Sequence, residues 1–219
     1  MITAKIIDLK KSILFQAATV EKMIGKAIKG LVEKNRKLLN EVIEEDEELV
    51  NKYDISIDEK CVALLALYHP EAKDLRTVIT ISKMGIDLER IGDSAVNIAE
   101  SALYLISKPA VKPFKTLPKL ADETIKMLDG SINAFVNEDA ESAIEICRSD
   151  YIVNEMRDQI IRELITYMAT DPHAIERSIH LIRISDNLER VADLSTNIAE
   201  DTVYIATGKI IKHSSYDDI

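Results

Sequence analysis

Glu89 and Asp93 lie four residues apart, and so do Glu189 and Asp193. On a helix that spacing stacks two carboxylates one turn above each other, with Cβ atoms about 5–6 Å apart. Asn97 and Asn197 carry the same two ridges one turn further. Like charges so placed weaken an isolated helix by roughly 0.2–0.5 kcal/mol. An arrangement that occurs twice therefore calls for compensation, from Arg90 and Arg190 or from a bound cation. Carboxylate oxygens suit hard and borderline cations such as iron, zinc, manganese or magnesium. For a single such pair a solvated charged face is the simpler reading; its recurrence shifts the balance toward a metal or ion-pair function.

The recurrence is an internal repeat. Residues 88–100 (LERIGDSAVNIAE) overlie residues 188–200 (LERVADLSTNIAE) without a gap, and Leu, Glu, Arg, Asp, Asn, Ile, Ala and Glu coincide. A duplicated supersecondary unit is the direct explanation, and the retained positions are mostly polar, which packing alone does not require.

Helices must position these residues. Good helix formers dominate, Gly and Pro are scarce, and period-two alternation is missing. The five prolines, Pro70, Pro109, Pro113, Pro118 and Pro172, mark joints, since proline is tolerated at helix starts but not in interiors. Asp171-Pro172 reads as an N-cap followed by proline at the first helical position. The spacing predicts helices over 12–30, 36–67, 71–107, 118–136, 139–168 and 173–207. The chain is thus all-α, with two tandem antiparallel three-helix bundles. They divide as a first repeat at 1–108, a Pro-rich linker at 109–118, a second repeat at 119–212 and a tail at 213–219. In the third helix Ile81, Met84, Leu88, Ile91, Ala95, Ile98, Ala102 and Leu105 form the core-facing stripe.

Antiparallel helices joined by a short turn place residues equidistant from that turn at one height. Asp46 lies 24 residues before Pro70 and Asp93 lies 23 after it. Asp150 lies 22 before Pro172 and Asp193 lies 21 after it. Asn51 falls level with Glu89, and Asn154 with Glu189 or Arg190. Each half thus offers oxygen ligands from two helices, with Asp46 and Asp150 supplying the second helix. Catalysis does not follow. The carboxylate-bridged di-iron pattern adds Glu-x-x-His from two helices, and His69, His173, His180 and His213 do not stand there.

A formal net charge of −10 opposes binding to nucleic acid or anionic lipid. Cys61 and Cys147 lack the spacing of a zinc or disulfide framework and read as packed thiols of a reducing compartment. The apolar run from Cys61 to Tyr68 is far short of the ~20 residues that span a bilayer. The expectation is a cytoplasmic protein that reaches a membrane only through protein partners, without inserting directly.

Three segments carry a family resemblance: CVALLALYHPEAKDLR (61–76), ISKMGIDLERIGDSAVNIAE (81–100) and DPHAIERSIHLIRISDNLERVADLSTNIAEDTVYIATGKIIKH (171–213). Together with the duplicated Leu-Glu-Arg core and the Thr207-Gly208 ending, they resemble the PhoU family over essentially the whole chain. The resemblance implies two three-helix bundles and multinuclear iron or zinc clusters on the E-x-x-x-D motifs. Glu89, Asp93, Glu189 and Asp193 are then the expected ligands, with Asp46 and Asp150 on the partner helices. It also implies a homodimer and a negative regulator of phosphate uptake that links the phosphate ABC transporter to a sensor histidine kinase. The family is not known for enzymes. The competing readings are a carboxylate-metal enzyme of phosphatase-like or redox type, and a metal-free helical scaffold.

Overall fold

A computed structural model describes residues 2–111 and 116–212, so the centre of the Pro-rich linker and the tail at 213–219 lie outside the described residues. The helices are α1 (Ile2–Val32), α2 (Arg36–Glu41), α3 (Glu47–Tyr68), α4 (Ala72–Ile106), α5 (Thr116–Asn137), α6 (Ala140–Thr170) and α7 (Ile175–Thr207). A single π turn, Val42–Asp46, joins α2 to α3, making one rod of the segment expected at 36–67. Among the described residues there is no strand.

Local chemistry sets the boundaries. Asn35 Oδ1 accepts from the backbone N–H of Lys37 and Leu38, and Asp139 Oδ1 from those of Glu141 and Ser142, satisfying donors that the first turn leaves open. Asp171 does the same for His173 and opens the short 3₁₀ turn Pro172–Ala174 that leads into α7. Gly208 closes α7 with φ 74°, a left-handed conformation that glycine adopts at little cost. At the other hairpin His69 turns left-handed, with φ 46°, ahead of Pro70. Helix α1 starts ten residues earlier than the expected position 12, because Ile6, Leu9 and Ile13 continue its buried stripe through the charged N-terminal segment.

Helices α1, α3 and α4 pack on one another as a first bundle, and α5, α6 and α7 as a second. The bundles meet where α4 runs along α7 and α1 along α5. One apolar cluster runs through both, from Ile13, Val20 and Leu88 to Leu120, Ile160 and Leu188. Along α4 the expected stripe is fully buried from Ile81 to Ala102, and only Leu105, near the helix end, is partly exposed. A Cβ on Gly30 of α1 would fall 2.5 Å from Leu39, and one on Gly130 of α5 would fall 2.5 Å from Ile146, so in each half the following helix can approach closely.

Candidate metal centre

Three buried pairs set the correspondence between the halves at the helices facing α4 and α7. Val50, Ile57 and Cys61 of α3 match Val153, Ile160 and Leu164 of α6 at a constant offset of 103. Glu47 therefore corresponds to Asp150, Asn51 to Asn154, and Asp54 to Arg157.

In the first half the ridge on α4 consists of half-buried Glu89 and exposed Asp93. Burial pushes the Glu89 carboxyl up; Asp93, Asp54 and Glu47 push it further, and Arg90 opposes them. Asp54 is likewise raised, by burial and then by Asp58. Behind it lies Gln16 of α1, fully buried, whose Nε2 donates to the Gly85 carbonyl at 3.1 Å while Oε1 has no partner. A Cβ on Gly85 would sit 3.5 Å from Asp54 Oδ1 and 3.9 Å from Gln16 Oε1, so two acceptors border one small gap.

In the second half Asp150 is raised by burial and then by the Asp193 charge. Asn154 Nδ2 donates to Asp150 Oδ2 at 2.7 Å, yet Asp150 Oδ1 and Asn154 Oδ1 are both buried without a partner. Glu189 is raised by burial and Asp193, against Arg157. Burial also raises Asp193, again against Arg157. The Arg157 guanidinium lies 3.1 Å from Glu189 Oε1 and 2.9 Å from Asp158 Oδ1.

The PhoU domain matches residues 15–102 and 117–202. The chain belongs to the PhoU family. It is 34% identical over 212 residues to phosphate-specific transport system accessory protein PhoU homolog 2 of Thermotoga maritima, spanning 97% of this chain and 90% of that one. Its fold superposes on the crystal structure of PhoU from Pseudomonas aeruginosa with a TM-score of 0.92 at 34% identity, covering 95% of this chain and all of the other. The phosphate transport system regulatory protein PhoU from Streptococcus pneumoniae matches with a TM-score of 0.90 at 29% identity, over 97% of this chain and all of that one. These names describe accessory and regulatory proteins, not enzymes.

Within this PhoU architecture the sequence-derived residues have different fates. Glu89 with Asp93, and Glu189 with Asp193 and Asp150, gather as two ridges at the α3–α4 and α6–α7 faces. Asp46 does not join the first. It sits at the π turn, where Lys26 Nζ of α1 holds its Oδ2 at 2.7 Å and Glu41 Oε2 at 3.2 Å. Burial disfavours the Lys26 charge, but hydrogen bonds to Asp46 and Glu41 outweigh that and raise Lys26 above its ordinary value. Counting from Pro70 gives Asp46 the correct height, but neighbouring residues differ by about 100° in direction around a helix. Glu47 and Asp54 are the α3 acids on the ridge side, and the docking of α3 against α4 selects them. Asn97 reaches across to α7, its Nδ2 donating to Asn187 Oδ1 at 3.3 Å. Arg90 lies 3.7 Å from Asp87 at the α4–α7 seam. Among the described residues no three His, Cys, Asp or Glu side chains converge closely enough to hold an ion in this arrangement. The half-exposed carboxylates stand apart, as their repulsion requires, while the unpartnered oxygens of Gln16, Asp150 and Asn154 are the features that suit a cation.

Proposed function

We propose that this chain is a negative regulator of phosphate uptake that acts by contact with the phosphate ABC transporter and a sensor histidine kinase, as a homodimer in the cytoplasm. The observation that carries the reading is the full-length match to phosphate transport accessory and regulatory proteins, with both repeats in place. No described helix is long and apolar enough to cross a membrane, so contact with a transporter runs through protein surface.

Cation binding at the ridges, with iron or zinc foremost and manganese or magnesium as further candidates, belongs to the same proposal. Glu89, Asp93, Glu47 and Asp54 would hold an ion in the first half, and Glu189, Asp193 and Asp150 in the second. A bound cation supplies positive charge that lets facing carboxylates approach each other. The side chains themselves then tie α3 to α4, or α6 to α7, and fix the outline of the surface a partner meets.

The test is affinity capture of the full chain from cells shifted between high and low phosphate. Transporter or kinase components should be retained in a phosphate-dependent manner. Retention of neither, in both conditions and in a cross-linked sample, would refute the regulatory contact.

A further inference from the structure

The two acidic ridges descend from one repeated unit but differ at one position that faces both carboxylate rows. With the buried positions aligned at an offset of 103, the first half has Asp54 where the second has Arg157. This reverses a charge inside the ridge. The Arg157 guanidinium stands 3.1 Å from Glu189 Oε1, and its positive charge opposes the raising of both Glu189 and Asp193. The arginine beside the first ridge, Arg90, also opposes the raising of Glu89, but its guanidinium is paired with Asp87, 3.7 Å away. Of the lysines near that end of α3, Lys26 is held by Asp46 and Glu41, and Lys52 by Glu48.

We infer that Arg157 is the resident cation of the second ridge, so that metal loads the first ridge preferentially and Asp54 is one of its ligands there. The inference rests on the metal reading proposed above and deepens it. A guanidinium is a planar fork that satisfies carboxylates without an ion. Where it sits, a metal must displace a hydrogen-bonded charge before it can bind, and it faces an additional positive charge if the arginine stays nearby. In the first ridge the same position adds a carboxylate, and the fully buried, unpartnered Gln16 Oε1 borders the same gap at Gly85. The duplicated motif is thereby split into a ridge with a carboxylate at this position and a ridge in which Arg157 already neutralises Glu189, while the buried Asp150 Oδ1 and Asn154 Oδ1 beside it keep no partner.

Zn²⁺ titration of the chelator-stripped full chain, read as bound metal per chain by elemental analysis after equilibrium dialysis, tests this directly. Wild type should show one high-affinity class. Arg157→Gln should add a second class, whereas Arg157→Lys, which keeps a cation, should not. Asp54→Asn should weaken the first class at least ~10-fold, since losing a direct ligand costs no less than losing a group that only orients one. Circular dichroism before titration confirms that each variant is folded, and the contrast between the two Arg157 variants separates charge from packing. Equal loading of both ridges in wild type, or an unchanged stoichiometry in folded Arg157→Gln, overturns the role of Arg157. A wild type and an Arg157→Gln variant that both bind no Zn²⁺ overturn the metal reading itself.

Discussion

Replacing Asp87 by Asn should stabilise the protein at neutral pH and do so less as the solution is acidified. Asp87 is 9% exposed at the seam of α4 and α7, and Asp201 across from it is 3% exposed. Burial is the main cause that lifts the Asp87 carboxyl to about 6, Arg90 opposes it, and the negative Asp201 adds to the rise. A carboxyl raised on folding binds its proton more tightly in the native state. Stability is therefore highest, as far as this group is concerned, below the unfolded value near 3.9 and falls as pH rises through about 6. At about 1.36 kcal/mol per pH unit, the gap corresponds to a ceiling of about 2.9 kcal/mol. Arg90, 3.7 Å away and half exposed, screens the charge and loses a partner in the variant. The expected gain is then about 1–2 kcal/mol at pH 7.5. Asn keeps the shape, so packing cancels in the comparison. Urea denaturation of wild type and Asp87→Asn at pH 7.5 and pH 3.5 measures the difference. A variant less stable than wild type at pH 7.5, or a gain that does not shrink at pH 3.5, would show that ion pairing and not desolvation governs this seam.

Other perturbations have comparably direct readouts. Leu88 is fully buried in the continuous core, so Leu88→Ala should cost about 2–5 kcal/mol in chemical denaturation. Lys26→Met leaves Asp46 without its counter-charge at the π turn and Glu41 with only Lys37, and should cost about 1–3 kcal/mol, read as a lowered Tm that high salt does not restore. Burial raises Glu89, so it takes up its proton at a higher pH than an ordinary carboxyl does, and protons compete with metal at the first ridge. Zn²⁺ retained through dialysis at pH 7.5 should therefore be released progressively as the solution is acidified; retention independent of pH down to the ordinary carboxylate range would show that Glu89 is not a ligand.

Much of the architecture is legible in the sequence. The 3.6-residue stripe on α4, the Asp171-Pro172 start and the punctuating prolines are local signals, and local signals are what sequence carries most directly. The gap-free repetition around Glu89 and Glu189 places both ridges on the last helix of each unit because a helix converts sequence spacing into direction. The early start of α1 is not legible, because charged residues obscure Ile6 and Leu9, whose burial depends on neighbouring helices.

The choice of acid on α3 was not legible, for a physical reason. Distance from a turn gives height, whereas direction around the axis depends on phase, and the π turn at Val42–Asp46 inserts an additional residue per turn just ahead of the site. The run from Glu44 to Glu48 offers a carboxylate in nearly every direction, so composition could not discriminate among them. Packing did: Asp46 meets Lys26 of α1, while Glu47 and Asp54 meet the Glu89 ridge.

Sequence alone thus determined that the chain is helical, that its unit is doubled, and that two acidic pairs stand in equivalent places on the doubled helix. Tertiary structure decided which residues from the facing helix complete each pair. Only when α3 and α6 are docked does it emerge that one ridge meets Asp54 and the other Arg157, because the charge opposite a carboxylate is set by the phase of two helices against each other, and no spacing within either helix records it.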